Sequence, residues 1–143
     1  MPSPFVFKLP QLRKKGPVCR VILRPSDPTV RQMSLEAKKV PAVAVWALID
    51  TGASSSAVST KIIKRLKLMP RSMVRVHTSN KKSEIRNEYD ISLEFETGAY
   101  LSLLRVIDAH LPHQNIDCLI GRDVLQFGVF TYNGVKKEIT LTF

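Results

Sequence analysis

The chain has 143 residues, enough for one domain with a real core, and its 44% hydrophobic content excludes a globally disordered protein. The net charge of +10 is uneven: residues 1–40 hold nine Lys/Arg against two acids, and residues 41–143 hold thirteen against ten. No apolar run reaches the ~20 residues of a membrane helix. The start, Met1-Pro2-Ser3-Pro4-Phe5-Val6-Phe7-Lys8, lacks the charged-then-apolar order of a signal peptide. Cytoplasmic residence, with no membrane partner, is therefore expected. Cys19 and Cys118 are too few for a disulfide framework and read as buried free thiols.

Six of the nine prolines fall in the first 28 residues. Residues 1–17 therefore read as an extended, basic, Pro-rich arm, and 18–143 as the folded domain. The plain reading of the arm's charge is solvated surface; the alternative is a contact to nucleic acid or an acidic partner. Val18 to Leu23 is a short strand. Arg24 to Val40, with Pro25, Asp27 and Pro28, reads as a loop with a helical turn over Gln32 to Lys39. Ala42 to Ile49 is a mostly apolar strand, consistent with burial on both faces.

Asp50-Thr51-Gly52-Ala53 follows that strand. A carboxylate at the end of a buried strand costs free energy unless it is satisfied or used. Catalysis is one explanation and a turn is the other, because Asp starts turns and Gly supplies positive φ. Ser59 can then cap a helix over Thr60 to Leu68, with Val58, Ile62, Ile63 and Leu66 on one side.

The remainder reads as β. Met73 to Thr78 alternates with period two, and Ser79 to Ser83 is a polar turn. Ile85 to Phe95 places Ile91, Leu93 and Phe95 on one face. Thr97-Gly98 closes a hairpin to Tyr100–Ile107. Asp117 to Ile120 is a short strand leading into Gly121. Arg122 to Phe127 makes one or two helical turns ended by Gly128. A last hairpin turns at Asn133-Gly134.

Two motifs now stand in order: Leu48-Ile49-Asp50-Thr51-Gly52-Ala53-Ser54 and Cys118-Leu119-Ile120-Gly121-Arg122-Asp123-Val124-Leu125. With the intervening hairpins and the closing Ile139-Thr140-Leu141-Thr142-Phe143, residues 40–143 resemble the retropepsin-like aspartic proteases. The best match is the stand-alone bacterial branch. The resemblance implies a mainly β, single-lobe acid-protease fold, closed and barrel-like, with one or two short helices. It also implies an aspartic endopeptidase in which two carboxylates share one proton. The chain has one Asp-Thr-Gly, so a homodimer would supply the second Asp50. Glu96-Thr97-Gly98-Ala99 looks like a second copy but reads as a hairpin turn.

By the same resemblance Asp50 is catalytic, with Thr51, Gly52 and Gly121 in support. Thr51 would bond its counterpart across the axis. Gly52, Ala53, Thr78, Ser79 and Asn80 would bind an extended peptide, the last three at the tip of a flap from Met73 to Arg86. Thr51 and Gly52 have plainer roles as turn residues, and Gly121 packs behind the turn under either reading.

The sequence departs from retroviral relatives in two places. The flap lacks glycine, and Ser54 and Ser55 stand where acidic residues are usual, so Arg122 loses its expected ion-pair partner. Asp123 or a residue of the second protomer could replace it. Phe5 to Leu9 could supply a strand to an intersubunit sheet. His77, His110 and His113 read as surface loop residues, and no metal or cofactor is expected. A rival to the protease reading is a peptide-binding or assembly module that kept the fold without turnover.

Overall fold

The computed structural model describes residues 4–77, 82–111 and 115–143. Its β-strands close into a ring. In chain order the first half comprises β1 (Phe5–Lys8), α1 (Leu12–Lys15), β2 (Val18–Pro25), α2 (Asp27–Leu35), β3 (Val43–Ile49), β4 (Ala57–Ser59) and α3 (Thr60–Arg65). The second half comprises β5 (Ser72–His77), β6 (Ser83–Phe95), β7 (Tyr100–Ala109), β8 (Ile116–Ile120), α4 (Arg122–Leu125), β9 (Val129–Asn133) and β10 (Glu138–Thr142). The main sheet runs β2-β3-β8-β4-β7-β6-β5, and β6 also pairs with β2. That second pairing closes a six-stranded barrel, with β5 attached outside it on β6. A separate sheet has the order β1-β10-β9.

Period-two patterning builds the barrel core. Ile91, Leu93 and Phe95 of β6 point inward, as expected, beside Val21 and Leu23 of β2 and Val106 of β7. Helix α3 lays Ile62, Ile63 and Leu66 against the same core. Gly98, at φ +90°, makes the turn between β6 and β7. Glu96-Thr97-Gly98-Ala99 is therefore a hairpin connection. Cys19 and Cys118 are free and buried. Burial pushes the Cys19 thiol up to about 12 and the Cys118 thiol higher still, so both stay protonated and unreactive.

Several expectations are corrected. The described residues contain four helices rather than one or two. The segment read as a loop from Arg24 to Val40 holds α2, because Pro28 lies in its first turn, where a missing N–H removes no helical bond. Helix α3 stops at Arg65, with Lys67 left-handed at φ +54°, and Ser59 does not cap it. The Ser59 hydroxyl donates instead to Asp117 Oδ1 at 2.9 Å. The last hairpin does not turn on two residues: Asn133 pairs with Glu138, and Asn133 Oδ1 accepts from the Lys136 N–H at 3.0 Å.

Strand β3 is not buried on both faces. Val43, Val45, Ala47 and Ile49 face the core, whereas Ala44 and Trp46 are exposed and Leu48 is half-buried. The Arg20 guanidinium lies 5.5 Å from the Trp46 ring centroid.

The N-terminal segment is not a solvated arm over its described length. Strand β1 pairs antiparallel with β10, from Phe5 opposite Leu141 to Lys8 opposite Glu138. The Leu12 side chain of α1 is 1% exposed and belongs to the core cluster. Leu12→Ala is therefore expected to cost about 2–4 kcal/mol of unfolding free energy. Urea denaturation measures this; a loss below about 0.5 kcal/mol would mean that the segment does not hold the fold together.

Candidate active site

Strands β3 and β8 run parallel, with Leu48 beside Leu119 and Ile49 beside Ile120. Both strands therefore leave the barrel at the same level, and the Asp50-Thr51-Gly52 turn emerges next to Gly121. The Asp50 N–H extends the ladder by donating to the Ile120 carbonyl at 2.8 Å. The turn closes through the Ala53 N–H to the Asp50 carbonyl, 3.2 Å. The Gly52 N–H donates to Asp50 Oδ1 at 2.9 Å, which fixes the carboxylate's rotation. Its other oxygen has no hydrogen bond among the described residues. Asp50 is partly exposed, and Thr51 and Gly52 are exposed.

Gly121 is where the two segments touch. A Cβ there would lie 2.9 Å from the Ala53 carbonyl oxygen and 2.9 Å from the Ser55 carbonyl carbon. Both neighbours are backbone, so only a glycine allows this approach.

Behind the turn lies a buried polar network. The Ser56 hydroxyl donates to Asp123 Oδ1 at 2.7 Å and accepts from the Gly121 N–H at 3.0 Å. The Ser56 N–H donates to Asp123 Oδ2 at 2.8 Å. Asp123 Oδ1 also accepts from the Val124 N–H at 2.9 Å, in the first turn of α4. Ser56 is wholly buried. One carboxylate thus ties α4 to the start of β4, and one hydroxyl ties both to Gly121.

Within its own chain Arg122 is held by backbone carbonyls and not by Asp123. Its guanidinium donates through Nη1 to the Thr51 carbonyl at 2.7 Å, and its N–H donates to the Ala53 carbonyl at 2.8 Å. Asp123 is engaged by Ser56 and is not its partner. Arg122 therefore braces the turn through backbone oxygens, a role that sets the direction of the Thr51 peptide.

Asp50, Thr51, Gly52, Ala53 and Gly121 are thus gathered in one place. Thr78, Ser79 and Asn80 lie outside the described residues. The hairpin that leads to them is present, with β5 and β6 paired from Ser72 opposite Glu88 to His77 opposite Ser83. His77 and His110 are exposed, and His113 lies outside the described residues. Ser56 carries no role in the sequence reading. A serine opening a buried apolar strand is the one hint, since a hydroxyl with no access to water needs a partner.

A cavity of about 1220 Å³ opens beside the turn. Asp50 and Thr51 line it with Trp46, Leu48, Ile116, Phe130 and others. The half-exposed apolar face of β3 is its wall.

The fold is that of the single-lobe, retropepsin-like acid proteases. A retropepsin-like aspartic protease from Rickettsia conorii superposes with a TM-score of 0.52 and 15% identity, over 88% of this chain and 92% of that one. The EIAV protease, solved with the inhibitor HBY-793, gives 0.48 and 19%, over 78% and 86%. No curated protein matches the chain in sequence. A family model, the gag-polyprotein putative aspartyl protease, matches residues 37–127. The chain belongs to this family of retropepsin-like aspartic proteases.

Ser56→Ala tests the network behind the turn. It leaves the Gly121 N–H without its acceptor in a buried site and removes a bond to a carboxylate, so about 1–3 kcal/mol of stability is expected to be lost. A urea titration that finds less than about 0.5 kcal/mol would contradict the role given to Ser56.

Proposed function

We propose that the protein is an aspartic endopeptidase that acts as a homodimer, with Asp50 of each protomer forming the catalytic pair. The observation that carries this reading is the Asp50 turn itself. It holds a carboxylate partly open to a cavity, with one oxygen unengaged, on a backbone braced from behind by Gly121 and Arg122. A turn that served only to reverse the chain would not require such bracing.

Two Asp50 carboxylates side by side cannot both ionise, so the pair holds one proton. The ionised member takes a proton from a bound water as that water attacks the scissile carbonyl carbon. The protonated member donates to the carbonyl oxygen. The product of this step is a gem-diol, which collapses when the leaving nitrogen is protonated and the C–N bond breaks. No covalent adduct with the enzyme forms. Thr51, exposed beside Asp50, would bond its counterpart across the axis. Gly52 would meet the backbone of an extended peptide, and Ala53 would line a side-chain pocket. The hairpin of β5 and β6, with Thr78, Ser79 and Asn80 at its tip, would fold over that peptide as a flap and exclude water.

The edge strands bear on how two copies would meet. Strand β1 pairs with β10 of its own chain along one side and forms one edge of the small sheet, so an intersubunit role would use its other side. Strand β9 is the opposite edge of the same small sheet, and its Phe130 and Tyr132 line the cavity that holds Asp50. Val129 and Tyr132 of this edge are 64% and 49% exposed. Two β9 strands meeting antiparallel about a twofold axis would cover that apolar edge and bring the Asp50 turns together.

A peptide-library digest across pH, with wild type beside Asp50→Asn, tests the activity. Cleavage is expected from wild type and not from the variant. Mixing tests the shared site: wild-type activity should fall as the square of its mole fraction when Asp50→Asn chains are exchanged in. A linear fall would mean that each chain carries a complete site. Equal cleavage by the variant sinks the proposal, and tight peptide binding without hydrolysis would make the chain a peptide-binding module.

A further inference from the structure

The cavity beside Asp50 is unevenly charged. Three consecutive cations of α1, Arg13, Lys14 and Lys15, line it, and Asp50 is the only acidic residue of its lining among the described residues. All three are exposed, and none has a carboxylate partner among the described residues.

These cations are held in place by the fold. Leu12 is buried one residue before them. Gly16, one residue after them, is left-handed at φ +80°, and a Cβ on it would lie 3.0 Å from Leu48 Cδ1 of β3. The Gly16 N–H closes the helical turn by donating to the Leu12 carbonyl at 2.8 Å. Both ends of the basic run are thus fastened to the body of the domain, one through the core and one against the strand that delivers Asp50.

We propose that this rim selects acidic peptides: the substrate carries Asp or Glu side chains close to the scissile bond, and Arg13, Lys14 and Lys15 are specificity-determining residues that meet them. The inference rests on the protease reading and adds a substrate class to it. The occupant is a peptide rather than a nucleic acid because the same cavity presents the Asp50 carboxylate and the apolar Trp46, Leu48 and Ile116. A phosphate backbone drawn to the rim would be repelled at the turn. A peptide with acidic residues to one side of an apolar pair would match both halves. In a homodimer the rim would occur twice, once on each side of the shared carboxylates.

Each exposed ion pair changes binding only modestly, so several together are expected to change kcat/KM by about tenfold. The test is a matched set of peptides, identical except for Glu or Gln at positions flanking the cleaved bond. They are digested by wild type, by Asp50→Asn, and by the triple variant Arg13→Gln, Lys14→Gln, Lys15→Gln. Wild type should cleave the Glu peptides about tenfold faster in kcat/KM, mainly through KM, and 1 M salt should erase the difference. In the triple variant the Glu-to-Gln ratio should fall toward one, with circular dichroism verifying its fold. A ratio near one in wild type overturns the inference while leaving the protease reading intact, as does a high ratio that survives in the triple variant. Cleavage of every peptide by Asp50→Asn, or of none by wild type, overturns both. A single-stranded oligonucleotide that blocks wild-type cleavage at low salt but not that of the triple variant would make the rim a nucleic-acid site and would also overturn the inference.

Discussion

The approach of Gly121 to the backbone of Ala53 and Ser55 is the contact on which the rest of this structure depends. It exists because β3 and β8 are parallel neighbours in register, so that the residues following them leave the barrel together. A side chain at residue 121 would push its neighbours apart by meeting two backbone atoms at 2.9 Å. Without that contact the Asp50 turn would have no floor. The carboxylate would then be carried by a surface loop with the entropy of a loop, rather than by the end of a barrel strand.

Polar groups then lock what the glycine permits. Buried hydrogen bonds are costly to leave unmade, and the groups behind the turn leave few unmade: Asp123 accepts from Ser56 twice and from Val124, and Ser56 accepts from Gly121. Arg122 contributes from the other side by holding the Thr51 and Ala53 carbonyls. The result is a division of labour. The rear of the turn is hydrogen-bonded, with Ser56 and Gly121 buried, whereas its front presents Asp50, Thr51 and Gly52 to solvent. That asymmetry suits the shared site proposed for Asp50.

Much of this was legible in the sequence wherever the signal was local. The apolar strand into Asp50, the Leu119-Ile120-Gly121 run and the alternation in β6 all specify their elements within a few residues. What escaped depends on distant partners. Ser56 and Asp123 are 67 residues apart, and nothing near either announces the other. Strand β1 reads as an arm because its partner, β10, is at the far end of the chain. Pro28 reads as a breaker, yet at a helix start it is tolerated. Strand β3 teaches a subtler lesson: apolar residues on both of its faces need not mean burial on both. Its second face lines the cavity, where Trp46 is exposed and Leu48 half-buried.

Under the proposed function the Asp50 turn is half of a site, organised from behind and open in front. In the proposed mechanism one carboxylate takes a proton from water while another gives one to the carbonyl, so that chemistry would need two chains at one centre. Native mass spectrometry with a pepstatin-type inhibitor addresses this requirement directly. One inhibitor bound per two chains is the predicted result; one inhibitor per single chain would contradict it.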